Sequence, residues 1–331
     1  MKRKMLVLIA AAALTGVVMI LATRGSAPAP VVRSRPADLH VTIVAQPGRP
    51  APAKLTIMRI AHSSVLVDFD GEVILTDPWF TESSQYHHGE PLGLALADLP
   101  ALTAVVVSHG HYDHFDIDAF AAYPHKDVPF FIEPRLGSAA RKAGFSNVHE
   151  LPRWQSSQAG SITITATPAK HGVPEVTYVL EGKGSTVFFG ADTELIPELD
   201  EVPKRFPKID VALLPVNGLH AFGKQVVMTD QEAARLAGKL RAQIAIPIHY
   251  AFKGGWLSDT FFLSYHGTPE GFMRAALATA PETQVRILPP GQRLVIEYSK
   301  AQTEGPVPHG ADSPTTAPDA PNDAGPKPLR P

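Results

Sequence analysis

Short apolar runs alternate with turn residues along the chain from Lys54 to Tyr298. Leu55 to Ile60 and Ser64 to Phe69 alternate apolar and polar residues in the manner of strands, and Asp70-Gly71 offers a tight turn before Val73 to Leu75. This pattern predicts a β-meander at the start of the folded part. Further strands are predicted by the same criteria at Thr103 to Val107, Ser161 to Thr165, Thr177 to Leu180, Thr186 to Phe189, Val211 to Leu214, Ile244 to Ile248, Val285 to Leu288 and Leu294 to Tyr298.

Helical spacing of apolar residues occurs in four segments, which are Asp116 to Tyr123, Pro134 to Ala143, Thr229 to Leu240 and Pro269 to Ala280. The third has the clearest start, because Thr229-Asp230-Gln231-Glu232 matches the pattern of a capping box. An apolar stripe follows in that segment, formed by Ala233, Leu236, Ala237 and Leu240. Sheets from both halves of the chain with helices outside them predict a layered α/β sandwich.

The two ends of the chain differ in composition from the part between them. Lys2, Arg3 and Lys4 precede the segment Met5 to Ala22, which is apolar apart from one Thr and one Gly. For residues 1–24 this pattern predicts an uncleaved membrane anchor, with the membrane as a partner and the body of the protein outside the cytoplasm, periplasmic or external. Secretion after cleavage of a signal segment is the alternative.

Residues 25–52 are rich in Pro, Ala and Arg, and residues 301–331 are rich in Pro, Asp, Ala and Thr. Neither stretch offers enough apolar surface to offset the entropy lost on ordering, so we predict a disordered linker and a disordered tail. The folded domain is therefore expected to span residues 53–300. A length of 331 residues fits one such domain between two extensions.

Composition excludes several kinds of chemistry. The chain has 30 basic and 32 acidic residues and a net charge of -2, so it lacks the basic excess that nucleic-acid binding requires. It has no cysteine, which excludes disulfides, thiolate metal ligands and a Cys nucleophile. The oligomeric state is not indicated by the sequence.

A dense group of metal-binding residue types follows the predicted strand at Thr103 to Val107. The run has the form His-x-His-x-Asp-His, with its members at His109, His111, Asp113 and His114. Imidazole nitrogens and carboxylate oxygens suit zinc, manganese or iron, and ligands this close together can serve two adjacent ions. The sequence therefore predicts a metal site in this loop.

Three more candidate ligands follow the ends of other predicted strands. His171, Asp192 and His249 each come just after an apolar run that is expected to be a strand. Each residue alone is weak evidence, because single His and Asp residues are common in turns. Since loops on a rigid scaffold are where ligands converge, we expect these three loops and the His109 loop to share one rim.

Several separated motifs resemble those of the metallo-β-lactamase-fold hydrolases, and the resemblance spans residues 54–298. They are Ala61-His62-Ser63-Ser64 with Asp77-Pro78, the run Ser108 to His114, Thr167 to His171, Phe189 to Thr193, and Ile246 to Tyr250. Within that superfamily the chain is most similar to the branch of ascorbate-6-phosphate lactonase-like proteins and the phospholipase D that hydrolyses N-acyl-phosphatidylethanolamine. The resemblance implies a four-layer αββα sandwich with a two-metal cleft at one edge of the paired sheets.

Matching those motifs implies roles for seven residues and for two divalent ions, zinc first and manganese or iron as alternatives. By this resemblance His109, His111 and His171 hold one ion, Asp113, His114 and His249 hold the other, and Asp192 bridges them. Asp113 is also the candidate catalytic residue, which orients the attacking water or takes its proton. His62 is interpreted as structural, and His220 and His266 lie on downstream loops that could border the cleft.

The resemblance implies a binuclear metal-dependent hydrolase that cleaves an ester-type bond. With a membrane anchor, a lipid phosphodiester is the first expectation for the substrate. A lactonase, amidase or thioesterase with a small polar substrate is the alternative, and a metal-binding module without turnover is the third reading. Cleavage of β-lactam antibiotics is disfavoured. Enzymes with that activity typically lack an Asp at the position of Asp192, and one large group of them uses a Cys that this chain does not have.

Overall fold

The computed structural model describes residues 26–44 and 52–299 of the chain. Its strands, in chain order, are β1 (Ala27–Pro28), β2 (Leu39–Val44), β3 (Leu55–Ala61), β4 (Ser64–Phe69), β5 (Glu72–Thr76), β6 (Thr81–Glu82), β7 (Tyr86–His88), β8 (Ala104–Val107), β9 (Phe130–Ile132), β10 (Val148–Glu150), β11 (Ser156–Ala159), β12 (Ile162–Pro168), β13 (Val176–Gly182), β14 (Ser185–Phe189), β15 (Val211–Pro215), β16 (His220–Ala221), β17 (Lys224–Gln225), β18 (Ile244–Ile248), β19 (Phe252–Gly254), β20 (Leu263–Ser264), β21 (Gln284–Val285) and β22 (Arg293–Ser299).

The α-helices among these residues are α1 (Ile117–Phe120), α2 (Gly137–Lys142), α3 (Val202–Arg205), α4 (Asp230–Leu240), α5 (Trp256–Phe261) and α6 (Pro269–Thr279). Two short 3-10 segments, Leu96–Asp98 and Pro197–Glu201, complete the helical elements. The four predicted helices correspond to α1, α2, α4 and α6, and their observed bounds differ from the predicted ones mainly at the ends.

Two large sheets form the centre of the molecule. The first has the strand order β10-β9-β8-β5-β4-β3-β22-β2, and the second has the order β11-β12-β13-β14-β15-β18-β21. In the second sheet β12 and β14 both run antiparallel to β13, and β14, β15 and β18 are parallel. The carboxyl ends of β12, β14 and β18 therefore lie at the same edge of the sheet, as the sequence pattern predicted.

The inner faces of the two sheets enclose one apolar core. Ile57 and Val106 of the first sheet belong to the same buried cluster as Ile164, Val187 and Leu213 of the second. The strands that carry these residues are buried along most of their length. Other elements must therefore shield the outer face of each sheet from solvent.

Helices cover the outer face of each sheet. Leu236 of α4 and Phe272 of α6 pack with Ala212 and Leu214 on the outer side of the second sheet. Phe120 of α1 and Ala140 of α2 pack with Val105 and Phe130 on the outer side of the first. These layers confirm the predicted α/β sandwich of helix, sheet, sheet and helix.

The prediction that residues 25–52 form a disordered linker is wrong for part of the segment that the structure describes. Leu39–Val44 forms β2, which pairs in parallel with β22 at the edge of the first sheet. Composition suggested disorder, but a short segment gains most of its stability from an open sheet edge rather than from its own residues. The folded domain therefore includes residues before 53, and the predicted tail at 301–331 lies outside the described residues.

The predicted location, with the folded part anchored to a membrane, is contradicted by the structure. Within residues 26–44 and 52–299, no helix is long and apolar enough to cross a bilayer. A membrane-spanning helix needs about 20 apolar residues, whereas α4 and α6 have 11 residues each. The apolar segment that suggested the anchor, within residues 1–24, lies outside the described residues.

Helix α4 begins with the predicted capping box, and its removal is expected to destabilise the protein. The Thr229 hydroxyl accepts the backbone N–H of Glu232 at 3.2 Å, and the Glu232 carboxylate accepts the backbone N–H of Thr229 at 2.8 Å. Thr229→Ala leaves a helix N–H without its acceptor, so we expect the free energy of unfolding to fall by about 1 kcal/mol. Urea denaturation of the full-length chain measures this change.

Thr279 offers the matched control. It is the last residue of α6, and its hydroxyl donates to the Ala275 carbonyl of the same helix instead of accepting a helix N–H. Thr279→Ala is expected to change the free energy of unfolding by less than about 0.5 kcal/mol. Equal destabilisation by the two substitutions would contradict the capping argument.

Candidate metal centre

The loop after β8 turns tightly and brings its polar residues to the rim between the two sheets. The backbone N–H groups of His114 and Phe115 both donate to the His111 carbonyl, at 3.0 and 2.8 Å. The start of the loop is fixed by Asp77, which accepts the Ser108 backbone N–H at 2.7 Å. As a result His109, His111, Asp113 and His114 all project into one buried region.

The first cluster of side chains combines three imidazoles and one carboxylate. His111 Nδ1 lies 3.0 Å from His109 Nε2 and 3.2 Å from His171 Nε2. Asp192 Oδ2 lies 3.8 Å from the same nitrogens of His109 and His171. One ligand atom from each of these four residues lies within 4.8 Å of the others.

The second cluster contains His62, Asp113, His114 and His249, again with ligand atoms within 4.8 Å of one another. Asp192 reaches this cluster as well, because its Oδ1 lies 3.1 Å from His114 Nε2 and its Oδ2 lies 2.8 Å from His249 Nε2. Asp192 therefore contacts residues of both clusters.

Hydrogen bonds on the outer ring nitrogens orient three of the imidazoles. Asp77 Oδ2 lies 2.6 Å from His114 Nδ1, and it also accepts the Ser108 hydroxyl at 2.6 Å. Ser108 Oγ lies 2.9 Å from His109 Nδ1, and the Val226 carbonyl lies 2.7 Å from His171 Nδ1. These acceptors assign a proton to Nδ1 in each ring, so Nε2 is the nitrogen that each ring can offer to a cation.

The arrangement fits two divalent cations. With their outer nitrogens protonated, His109 and His171 direct the lone pair of Nε2 toward His111 Nδ1, at 3.0 and 3.2 Å. Three ring nitrogens that converge in this way can bind one cation together. His114 Nε2, Asp113 Oδ1 and Asp192 Oδ1 are buried and have no hydrogen-bond partner among the described residues. Nitrogen and carboxylate oxygen without sulfur suit zinc, manganese or iron.

Burial and neighbouring charges hold His109, His111 and Asp192 in the states that metal binding requires. His114 differs, because burial lowers its pKa but the charges of Asp192 and Asp113 outweigh burial and raise that pKa well above normal, so His114 has to lose a proton when a cation binds. Burial, with the charges of His114 and His111, lowers the pKa of His109 well below its usual value. Burial and His171 lower the pKa of His111 to about 4. Burial alone raises the pKa of Asp192, but His114 and His249 outweigh it and bring that pKa well below normal. Neutral imidazole and ionised carboxylate are the ligand forms that cations bind.

Left-handed backbone conformations occur at four residues around the clusters, although none is glycine. They are His62, Asp77, Ala191 and His249, with φ values of 51°, 35°, 44° and 55°. This region is unfavourable for residues with a side chain and persists where the surrounding structure imposes it. The His249 backbone N–H donates to the His62 carbonyl at 3.3 Å, which ties two of these residues together.

All seven predicted ligands meet in the two clusters, and the structure adds His62 to them. His62, interpreted from sequence as structural, is wholly buried, and its Nε2 lies 3.3 Å from Asp113 Oδ2. Its ring centroid also lies 4.1 Å from that of His249, with the two ring planes tilted by 47°. By contrast, His220 and His266 contact each other, with ring centroids 4.4 Å apart.

Two buried carboxyl groups near the clusters had no predicted role. Asp77 appeared in a quoted motif, and the structure connects it to His114 directly and to His109 through Ser108. Glu175 accepts the Asp192 backbone N–H at 2.8 Å, and burial together with the charge of Asp192 raises its pKa well above normal. Nothing in the sequence around Glu175 distinguishes it from an ordinary loop acid.

Comparison with known proteins identifies the family. A family model described as the beta-lactamase superfamily domain matches residues 72–250, more than half of the chain. The chain belongs to this superfamily. The matched range includes all seven predicted ligands and Asp77.

Relatives of this superfamily member include metal-dependent hydrolases. It is 30% identical over 268 residues to a UPF0173 metal-dependent hydrolase of Anaeromyxobacter, covering 75% of this chain and 89% of the relative. An uncharacterized protein of Mycobacterium tuberculosis is 29% identical over 266 residues, which are 73% of this chain and 69% of that protein. A metallo hydrolase of Ignicoccus hospitalis has the same fold, with a TM-score of 0.59, 22% identity, and coverage of 75% and 100%.

These findings confirm the predicted superfamily and fold. They also support an enzyme, so the chain is a metal-dependent hydrolase of the metallo-β-lactamase superfamily. The narrower similarity to the lactonase and phospholipase branch stays a prediction.

Proposed function

We propose that the protein is a binuclear hydrolase that cleaves an ester-type bond with water activated by two divalent cations. The observation that carries this proposal is the position of Asp192. Its Oδ1 faces His114 of the second cluster, while its Oδ2 lies within 3.8 Å of ring nitrogens of His109 and His171 in the first and 2.8 Å from His249. A carboxylate shared in this way suits a bridge between two neighbouring ions.

In this proposal His109, His111 and His171 hold one ion, and Asp113, His114 and His249 hold the other. Bound divalent cations supply Lewis acidity, which lowers the pKa of water and stabilises negative charge on the reacting oxygen. Zinc is the first candidate, and the same donor atoms accommodate manganese or iron.

Asp113 is the candidate catalytic residue because its two oxygens have different surroundings. His62 Nε2 lies 3.3 Å from Oδ2, whereas Oδ1 is buried without a partner among the described residues. Oδ1 can thus orient the attacking water and accept its proton, while the contact with His62 limits rotation of the carboxylate. His114 and His62 also lower the pKa of Asp113 against the effect of burial, which keeps it ionised.

A phosphodiester is the first substrate class to test, since two cations can stabilise the attacking and leaving oxygens of phosphoryl transfer. The expectation that this phosphodiester belongs to a lipid depended on the predicted anchor and has lost that support. A lactone, amide or thioester remains the alternative, which makes the bond type a question for a direct screen.

Metal removal is expected to abolish hydrolysis. The full-length chain should contain about two divalent ions per molecule and hydrolyse bis-p-nitrophenyl phosphate or p-nitrophenyl esters. EDTA should lower the rate at least about a hundredfold, and zinc or manganese should restore it, as measured by p-nitrophenol release and elemental analysis.

The same screen, extended to lactones, separates the alternatives. One ion per chain with full activity would contradict the binuclear centre. Two tightly bound ions without hydrolysis of any ester, phosphodiester or lactone would instead identify a metal-binding module without turnover.

A further inference from the structure

A group of large apolar side chains is exposed on one side of the molecule. We call it the aromatic rim, and its exposed members are Phe222, Trp256, Leu257, Phe261 and Tyr265. The partly buried Phe262 completes it and lies against the rings of Phe222 and Phe261. Trp256 is 75% exposed, Phe222 72% and Phe261 66%. Ring centroids lie 5.0 Å apart for Phe222 and Phe262 and 6.4 Å apart for Trp256 and Phe261. Grouped apolar exposure of this kind usually marks a binding surface.

Specific hydrogen bonds hold the rim in place. Helix α5, which carries Trp256 and Phe261, follows β19, and β19 pairs with β7 so that Gly254 lies opposite Tyr86. The Ser258 hydroxyl donates to Gln85 Oε1 at 2.7 Å, which ties the helix to the residue before β7. Tyr265 donates its hydroxyl to Asp259 of the same helix at 2.9 Å. The rim is therefore a fixed part of the fold.

The strand β19, which leads into the rim helix α5, and its partner β7 carry aromatic side chains near the metal centre. Phe252 of β19 lies 5.6 Å from the Tyr86 ring and 6.1 Å from that of His62, a member of the second cluster. Tyr86 in turn lies 5.5 Å from Tyr112, the residue between His111 and Asp113.

The carboxylates of the metal centre also affect the pKa of two tyrosines, one on β7 and one in the aromatic rim. Burial, followed by the charges of Asp113 and Asp192, raises the pKa of Tyr86. Burial and Asp259 are the main causes of the raised pKa of Tyr265, and the charge of Asp113 contributes as well. Both phenols thus lie close enough to the centre to be influenced by its carboxylates.

We propose that the aromatic rim binds an extended alkyl arm of the substrate while the scissile group occupies the metal centre. This inference rests on the proposed function, because it requires the reacting group to be held by the two clusters. Continuity of the rim with Tyr86 and Phe252 favours a substrate arm over a separate partner, since one molecule can contact the centre and the rim together. The substrate class is thereby narrowed to esters or phosphoesters with a long apolar chain.

Alkylphosphonic acids from methyl to octyl test this inference without turnover. The phosphonate group can bind the zinc-loaded centre, and the proposal requires that the longer chains extend from it to the rim. Full burial of one methylene strengthens binding about fourfold, so on an open rim we expect about twofold per methylene and about a hundredfold between methyl and octyl. Calorimetric titration of the zinc-loaded full-length chain measures these affinities.

Two rim variants and one control make the test specific. Trp256→Ala and Phe261→Ala should each weaken octylphosphonate binding about tenfold while leaving methylphosphonate binding unchanged. Leu277→Ala is the matched control, because Leu277 is 76% exposed on α6 and is not a member of the rim. It should leave the dependence on chain length as it is in the unmodified protein.

The outcomes separate failure of the rim from failure of the proposed centre. If methylphosphonate binds but longer chains bind no tighter, or if the rim variants keep the dependence on chain length, the rim proposal is wrong. If no phosphonate binds the zinc-loaded chain at any length, the proposed centre fails and the rim proposal fails with it. A shift from dimer to monomer in Trp256→Ala, seen by sedimentation, would assign the rim to a protein interface instead.

Discussion

Asp192→Asn is expected to lower hydrolysis by about a thousandfold or more, the largest effect of any single substitution in this protein. Among the described residues Asp192 is shared by the two clusters, because its Oδ1 lies 3.1 Å from His114 Nε2 of the second and its Oδ2 lies 3.8 Å from Nε2 of His109 and of His171 in the first. An amide has the same shape but carries no charge, so it cannot neutralise the two adjacent cations of the proposed centre. Loss of a partner outside the ligand set already weakens metal binding about 10–100-fold, and a bridging ligand should exceed that.

Elemental analysis and p-nitrophenol release from the same preparation measure this result, with bound metal expected to fall below one ion per chain. Asp200→Asn is the matched control, because Asp200 is a partly exposed acid that pairs with Lys239. It should leave both metal content and rate within about twofold of the unmodified protein. Full metal content and full activity in Asp192→Asn would refute the bridging role.

Asp77→Asn is expected to weaken metal binding about 10–100-fold, although Asp77 has no assigned position as a ligand. Asp77 is wholly buried and accepts hydrogen bonds from the His114 ring and from Ser108, which in turn accepts from His109. It therefore orients one imidazole of each cluster. Both of these donors reach Asp77 Oδ2, while Oδ1 accepts the Ser108 backbone N–H. An asparagine amide therefore places its N–H either against the His114 ring and the Ser108 hydroxyl or against the Ser108 backbone N–H, and it has no charge to strengthen the remaining hydrogen bonds, so the orientation of the rings weakens.

This substitution has a readout that simple loss of stability would not change. Competition with a chromophoric chelator should show weaker affinity for both ions, while excess zinc should restore much of the lost activity. Asp70→Asn is the control, because Asp70 lies exposed in the nearby hairpin with φ of 49°, a conformation that Asn tolerates well. Unchanged metal affinity in Asp77→Asn would show that Ser108 and the loop backbone alone orient the rings.

The elements that the sequence predicted are those whose signal is local. Thr229 and Glu232 specify the start of α4 through their own hydrogen bonds, and Ser64–Phe69 and Ile244–Ile248 have the predicted bounds in the structure. Each depends on residue spacing within one segment, so no partner is needed to recognise it. The His-x-His-x-Asp-His run is local in the same sense, since its density is visible within six positions.

Elements with distant partners were missed or misread. Leu39–Val44 looked disordered by composition and became a strand because β22, about 250 residues away, offers an open edge. The predicted strand Val285 to Leu288 is reduced to Gln284–Val285, which pairs with only the first residues of β18. Strand formation at a sheet edge depends on the neighbour as much as on the segment itself.

For this protein the sequence alone determined the superfamily, the layered fold and the seven residues proposed as ligands, because the motifs and strand periods that carry them are short and continuous. Only the tertiary structure decided that His62 joins the second cluster, that Asp77 orients rings of both, and that the rim around Trp256 stays uncovered. The reason is physical: burial and contact depend on which residues fold against a side chain, and aromatic residues such as Phe261 have the same pattern in a core as on an exposed surface.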